Sequence, residues 1–123
     1  TLQPLISALK NDVAAVRLWA SSSLADVVGT SAEKASIASD QLLTSLRIDS
    51  EPVVRSNCIW ALGRIFENLG GTAQKALVEA FFEVLLNDVE PSVRDEARIV
   101  LEQLGTSTVR DRLQELVEDG VLA

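Results

Sequence analysis

At 123 residues the chain is of single-domain size, and 47% of it is hydrophobic, so it buries a core and is not disordered. No apolar run approaches the length of a membrane-spanning helix, and no signal-peptide pattern opens the chain. Acidic residues number 18 against 11 basic, a formal charge of -7, which argues against nucleic acid and anionic membrane surfaces as partners.

Taken in order, the pattern predicts seven helices and no strand. Leu2, Leu5, Ile6 and Leu9 share one face of a short first helix. A turn at Asn11-Asp12 leads into a second helix, which holds Arg17 and stops at Gly29. Thr30-Ser31 caps a longer helix running to about residue 48, whose Ala-Ser-rich front half, 32–39, is weakly patterned and expected to project or bend. Asp49 to Glu51 is the next turn. Pro52 then starts a helix expected to run to Leu69 and stop at Gly70. A strongly apolar helix follows over 76–86. Pro91 starts another, stopped by Gly105, and Thr106 or Ser107 caps a last one with Val109, Leu113, Leu116 and Val117 on one face.

The even-numbered helices repeat one another. Arg17, Arg55 and Arg94 stand 38 and 39 residues apart, each with an Asn or Asp six places earlier: Asn11, Asp49 and Asp88. Relative to each arginine, positions -1, +3, +7 and +10 are apolar or small, giving Val16, Ala20, Leu24 and Val27, then Val54, Cys58, Leu62 and Ile65, then Val93, Ala97, Leu101 and Leu104. A period near 40 with two helices per unit is the signature of a stacked helical repeat. A cation early in a helix opposes the helix dipole, so its recurrence calls for a tertiary partner. We read Asn11, Arg17, Asp49, Arg55, Asp88 and Arg94 as a hydrogen-bonded ladder that fixes one repeat on the next. Solvated arginines are the alternative, each of little energetic consequence.

The motifs Asp49-x-x-Pro52-x-Val54-Arg55, Ala61-Leu62-Gly63 and Asp88-x-x-Pro91-x-Val93-Arg94 resemble the HEAT repeat, in particular the short bacterial HEAT-like form related to phycobilisome linker lyases. The first unit departs from it, with Asn11 for Asp and Ala14 for Pro. The resemblance covers about residues 1–105. It implies an all-α fold, a right-handed α-α superhelix of three helix pairs (about 1–29, 30–70 and 71–105); the last helix has no second half and is expected to cap the stack at 106–123. The resemblance implies an interaction module or scaffold binding a partner on the concave face of the second helices. The alternative it implies is a subunit of a bilin lyase or a phycobilisome-degradation factor. The start at Thr1, inside a helical pattern and without any Met, is the mark expected of a piece of a longer array, or of a processed or truncated chain.

Catalytic groupings are nearly absent. With no His, no Tyr and one Cys there is no imidazole base, no Cys–His pair and no zinc cluster, so neither enzyme activity nor a cofactor is expected. Cys58 fills the slot of Ala20 and Ala97 and reads as a small packed residue rather than a nucleophile. A single cysteine forms no internal disulfide and fits a cytoplasmic setting. The remaining face of the second helices carries Trp19, Asn57, Trp60, Arg64, Glu96 and Ile99, the candidate partner-binding ridge. Packing of Trp60 and Ile99 between neighbouring helices is the competing reading. Its acidic surroundings imply a protein partner with a basic segment.

Overall fold

Short side chains at the turns set the helix starts. In the structure, a computed structural model that describes residues 2–123, Asn11, Asp49 and Asp88 each turn a side-chain oxygen onto the N–H two residues on. Those N–H groups belong to Val13, Glu51 and Glu90, at 2.9, 3.0 and 3.0 Å. The same three residues are the N-caps of the helices that follow, so each Asn or Asp closes the turn from which a helix departs. Pro52 and Pro91 occupy the first helical turn, where a missing N–H costs nothing.

The described residues form seven helices and no strand: α1 (Gln3–Ala8), α2 (Ala14–Val28), α3 (Ala32–Ile48), α4 (Pro52–Ile65), α5 (Gly71–Asn87), α6 (Pro91–Leu104) and α7 (Ser107–Glu118). Ser31 and Thr106 cap α3 and α7 through their hydroxyls, which accept from the N–H groups of Lys34 at 3.1 Å and Val109 at 3.3 Å. Gly105 ends α6 at φ 63°, a left-handed conformation that a side chain would strain.

Three local expectations are corrected. The helix begun at Pro52 ends at Ile65 and tightens into a 3₁₀ turn, Phe66–Asn68, that buries Phe66. Gly70, at φ -71°, is therefore no stop but the N-cap of α5, which starts five residues earlier than its apolar pattern. The front half of α3 does not project. Ala35 and Ala38 are fully buried and Ser39 nearly so, because small side chains let α3 lie close against α4. The apolar stripe of the second helices is buried except at Val16 and Leu104, which are half-buried, and at Val27, which is exposed; on α7 Val109 and Leu113 are buried whereas Val117 faces solvent.

The helices pack as pairs, α1 with α2, α3 with α4 and α5 with α6. The second helices α2, α4 and α6 also pack on one another in succession, whereas the first helices approach one another less closely. One continuous core runs between the two layers, from Leu9 and Leu24 through Leu42, Ile59 and Leu62 to Phe81, Leu101 and Leu113. The close approach of α4 and α6 depends on Gly63: a Cβ placed there would stand 2.8 Å from Val100 Cγ1. No described helix is long and apolar enough to cross a membrane.

Candidate interaction surface

A ladder of arginine–aspartate bonds joins consecutive repeat units. Arg17 donates Nε and Nη2 to Asp49 Oδ2 and Oδ1, at 2.8 and 3.1 Å, and Nη1 to the carbonyls of Asn11 and Asp12. Arg55 repeats this one unit on, with both contacts to the Asp88 carboxylate at 3.0 Å and Nη1 on the Asp49 carbonyl at 2.9 Å. Arg94 donates Nη1 to the Asp88 carbonyl, and no ion pair among the described residues joins it.

Sequence spacing pairs each arginine with the Asn or Asp six places earlier. The structure pairs it with that residue's carbonyl and with the carboxylate of the next unit. Each carboxylate thus closes its own turn and clamps the preceding arginine at the same time. Such forked, charge-assisted bonds are the strong kind. The bond and charge of Asp88 raise the hold of Arg55 on its proton, against the opposing effect of burial. The Arg17 guanidinium is raised in the same way by Asp49. For Asp88, burial is the largest single influence and pushes the carboxyl up. The hydrogen bonds from Arg55 and the Glu90 N–H, with the charges of Arg55 and Arg94, outweigh it and hold the carboxyl below its ordinary range.

The ridge residues lie on the second-helix layer. Trp19, Asn57 and Glu96 are equivalent positions on α2, α4 and α6, as are Ser22, Trp60 and Ile99, and Asp26, Arg64 and Gln103. Trp19, Trp60 and Ile99 are 58%, 38% and 48% exposed, so neither indole is swallowed by the stack. Asn57 differs from the rest. Its Nδ2 donates to Ser21 Oγ at 2.6 Å, Ser22 Oγ at 2.8 Å and the Leu18 carbonyl at 3.3 Å, so it is committed to joining α4 to α2. Arg64 reaches back to Asp26 across 38 residues and lies over the Trp60 ring, 5.4 Å from its centroid. Glu96 is half-buried.

Three links escape sequence reasoning. Asn68 donates to the Gly29 carbonyl at 3.0 Å, and Gln74 to the Phe66 carbonyl at 3.0 Å; a backbone acceptor leaves no trace in residue type. Arg112 of α7 stands over Phe82 of α5, 3.9 Å from the ring centroid, and pairs with Glu79, a contact outside the repeat register.

Cys58 is fully buried, and burial with the nearby charge of Asp49 pushes its thiol up to about 12, so it stays protonated and out of reach at neutral pH. Among the described residues, no group of His, Cys, Asp and Glu side chains converges at metal-ligand distance. The face that α4 turns to α6 holds Ile59 and Gly63, and on α2 the same slots hold Ser21 and Ala25. On α6 these slots become Arg98 and Glu102, a 3.7 Å ion pair open to solvent, and Arg98 also holds the Ala123 carbonyl at 3.0 Å.

Helix pairs recurring every 38 or 39 residues and clamped by an arginine–aspartate ladder define a helical-repeat solenoid. The family model for HEAT repeats matches residues 39–122, more than half of the chain, and the chain belongs to the HEAT-repeat family. The match takes in α4 to α7 and most of α3, while α1 and α2 lie outside it. No curated relative matches the chain. HEAT repeats generally mediate protein–protein interaction.

Proposed function

We propose that the chain is a non-enzymatic protein-interaction module or scaffold, and that its partner lies along the ridge of Trp19, Asn57, Trp60, Arg64, Glu96 and Ile99. The observation that carries this reading is the exposure of two indoles, Trp19 and Trp60, together with Ile99 on one helix layer. Large rigid side chains left in water at neighbouring positions are the usual anchors of an interface. Asn57 enters the ridge as a link that keeps α2 and α4 in register beneath these anchors.

A stack whose second helices pack on one another while its first helices approach less closely bends towards the second-helix layer, which supports a concave ridge. The same layer carries Asp26, Glu67, Glu96 and Glu102, so the partner is a protein with a basic segment, and nucleic acid is disfavoured. A sealed, unpaired thiol suits a cytoplasmic setting. A bilin-handling role gains nothing from this site, because the single thiol is inaccessible. We also propose that α7 and the tail after it cap the third repeat, since α6 offers Arg98 and Glu102 where the other second helices offer small or apolar residues.

The test is an array of Lys/Arg-rich peptides with acidic counterparts, read by fluorescence anisotropy at low and high salt. Basic peptides should bind, and salt should weaken them. Trp19→Ala and Ile99→Lys should lose binding, whereas Ile37→Lys, the same charge change on α3, should keep it. Equal affinities for Ile99→Lys and Ile37→Lys would sink the reading.

A further inference from the structure

The ridge binds a cation already, and the cation is its own. Arg64 Nη1 meets Asp26 Oδ1 while its guanidinium lies over the Trp60 ring at 5.4 Å. An indole face attracts cations through its quadrupole, and a carboxylate beside it adds direction. Arg64 is also the one basic side chain among the equivalent positions that build this layer: Trp19, Asn57 and Glu96; Ser22, Trp60 and Ile99; Asp26, Arg64 and Gln103. Without it, none of these positions would carry a positive charge, and Asp26 and Glu96 would leave the layer acidic.

Arg64 is held loosely. Its side chain and that of Asp26 are 51% and 60% exposed, and exposed pairs of this kind exchange readily with water and with other ions. The ladder arginines, forked onto largely shielded carboxylates, are held more firmly.

Resting on the ridge reading above, we propose that the Trp60 face and the Asp26 carboxylate form a cradle for a guanidinium or ammonium side chain of the partner, and that Arg64 is its displaceable internal occupant. A partner's Arg or Lys enters by replacing Arg64, which swings into solvent from its unburied position on α4. Arg64 then has the opposite sign from an interface anchor: its removal strengthens binding. An internal competitor that fills the site for part of the time weakens apparent affinity by the free fraction. For an exposed pair this amounts to a factor of about 2–6.

The experiment uses the full chain and a fluorescein-labelled peptide of alternating glycine and arginine, with the glutamate-for-arginine peptide as blank. Anisotropy gives Kd for Arg64→Gln, Asp26→Asn and Trp60→Leu. Arg110→Gln and Asp111→Asn on α7 make the same charge changes far from the ridge, and circular dichroism verifies the fold of each variant. The cradle requires Arg64→Gln to bind about 2–6-fold tighter than Arg110→Gln. It also requires Asp26→Asn and Trp60→Leu to bind more weakly than Asp111→Asn. If Trp60→Leu loses affinity but Arg64→Gln binds no tighter than Arg110→Gln, the ridge stands and the displaceable occupant is refuted. If none of the ridge variants differs from the α7 controls, both the cradle and the ridge reading fall.

Discussion

Removing Arg55 tests whether the ladder holds the stack. Its guanidinium makes two 3.0 Å bonds to the Asp88 carboxylate and one of 2.9 Å to the Asp49 carbonyl, with the two side chains 12% and 10% exposed. In Arg55→Ala, Asp88 keeps the N–H of Glu90 but loses its forked cation, and the Asp49 carbonyl loses a donor. Breaking a fully buried pair costs about 3–5 kcal/mol, and an exposed pair costs about 1 or less. A pair that retains some water and one remaining hydrogen bond falls between, at about 1–3 kcal/mol. For a domain of this size that is roughly 3–6 °C in Tm for each kcal/mol.

Urea unfolding followed by circular dichroism measures the loss, with Arg110→Ala, an exposed arginine on α7, expected within about 0.5 kcal/mol of the parent. A double-mutant cycle of Arg55→Ala with Asp88→Ala should return a coupling of about 0.5–3 kcal/mol. Equal midpoints for Arg55→Ala and Arg110→Ala, or a coupling of zero, would show that the stack does not depend on this rung.

The depressed carboxyl of Asp88 contributes stability that is present above its unfolded value of about 3.9 and is lost as pH falls through its lower folded value. Asp88→Asn should therefore trail the parent in Tm at pH 6 and close the gap as pH falls below about 4; a gap constant with pH would contradict the assignment. Cys58→Ala should fold and bind as the parent does, since Ala20 and Ala97 fill the same slot, and the native thiol should react with a disulfide reagent only after unfolding. Gly63→Ala should destabilise the chain, because Val100 is buried and β-branched and cannot swing aside, so an overpacking cost of about 1–3 kcal/mol exceeds the helix-propensity gain of about 1 kcal/mol. Pairing it with Val100→Ala should show a favourable coupling, and strict additivity would refute the clash. Deleting residues 107–123 should uncover the α5 surface around Phe82 and drive association, visible by size-exclusion chromatography; an equally stable monomer would show that α7 is no cap.

How much of this is legible in the residues alone follows from which interactions are local. The helix starts are local: Asn11, Asp49 and Asp88 close turns with N–H groups two residues away, and Pro52 and Pro91 preset the first turn, so the spacing of the repeat and its seven helices can be read directly. The buried stripe is also local, being one face of a helix of known period; only its outlying members depart from it, Val16 and Leu104 half-buried and Val27 exposed.

What a residue on the other face does depends on a helix almost 40 positions away, and only the tertiary structure decides that. The arginine period implied a partner, yet the carboxylate came from the following unit and not from the residue six places back. Asn57 and Trp60 look alike as ridge candidates, but α2 presents Ser21 and Ser22 to the first and leaves the second open to solvent. Gly70 has the composition of a stop, but the chain had already tightened at Phe66, whose burial needs the core to exist first. Composition and period determine which faces are apolar and where helices begin. Which polar group meets which is determined by the stacking of one unit on the next, where a bond requires both partners to arrive at the same place.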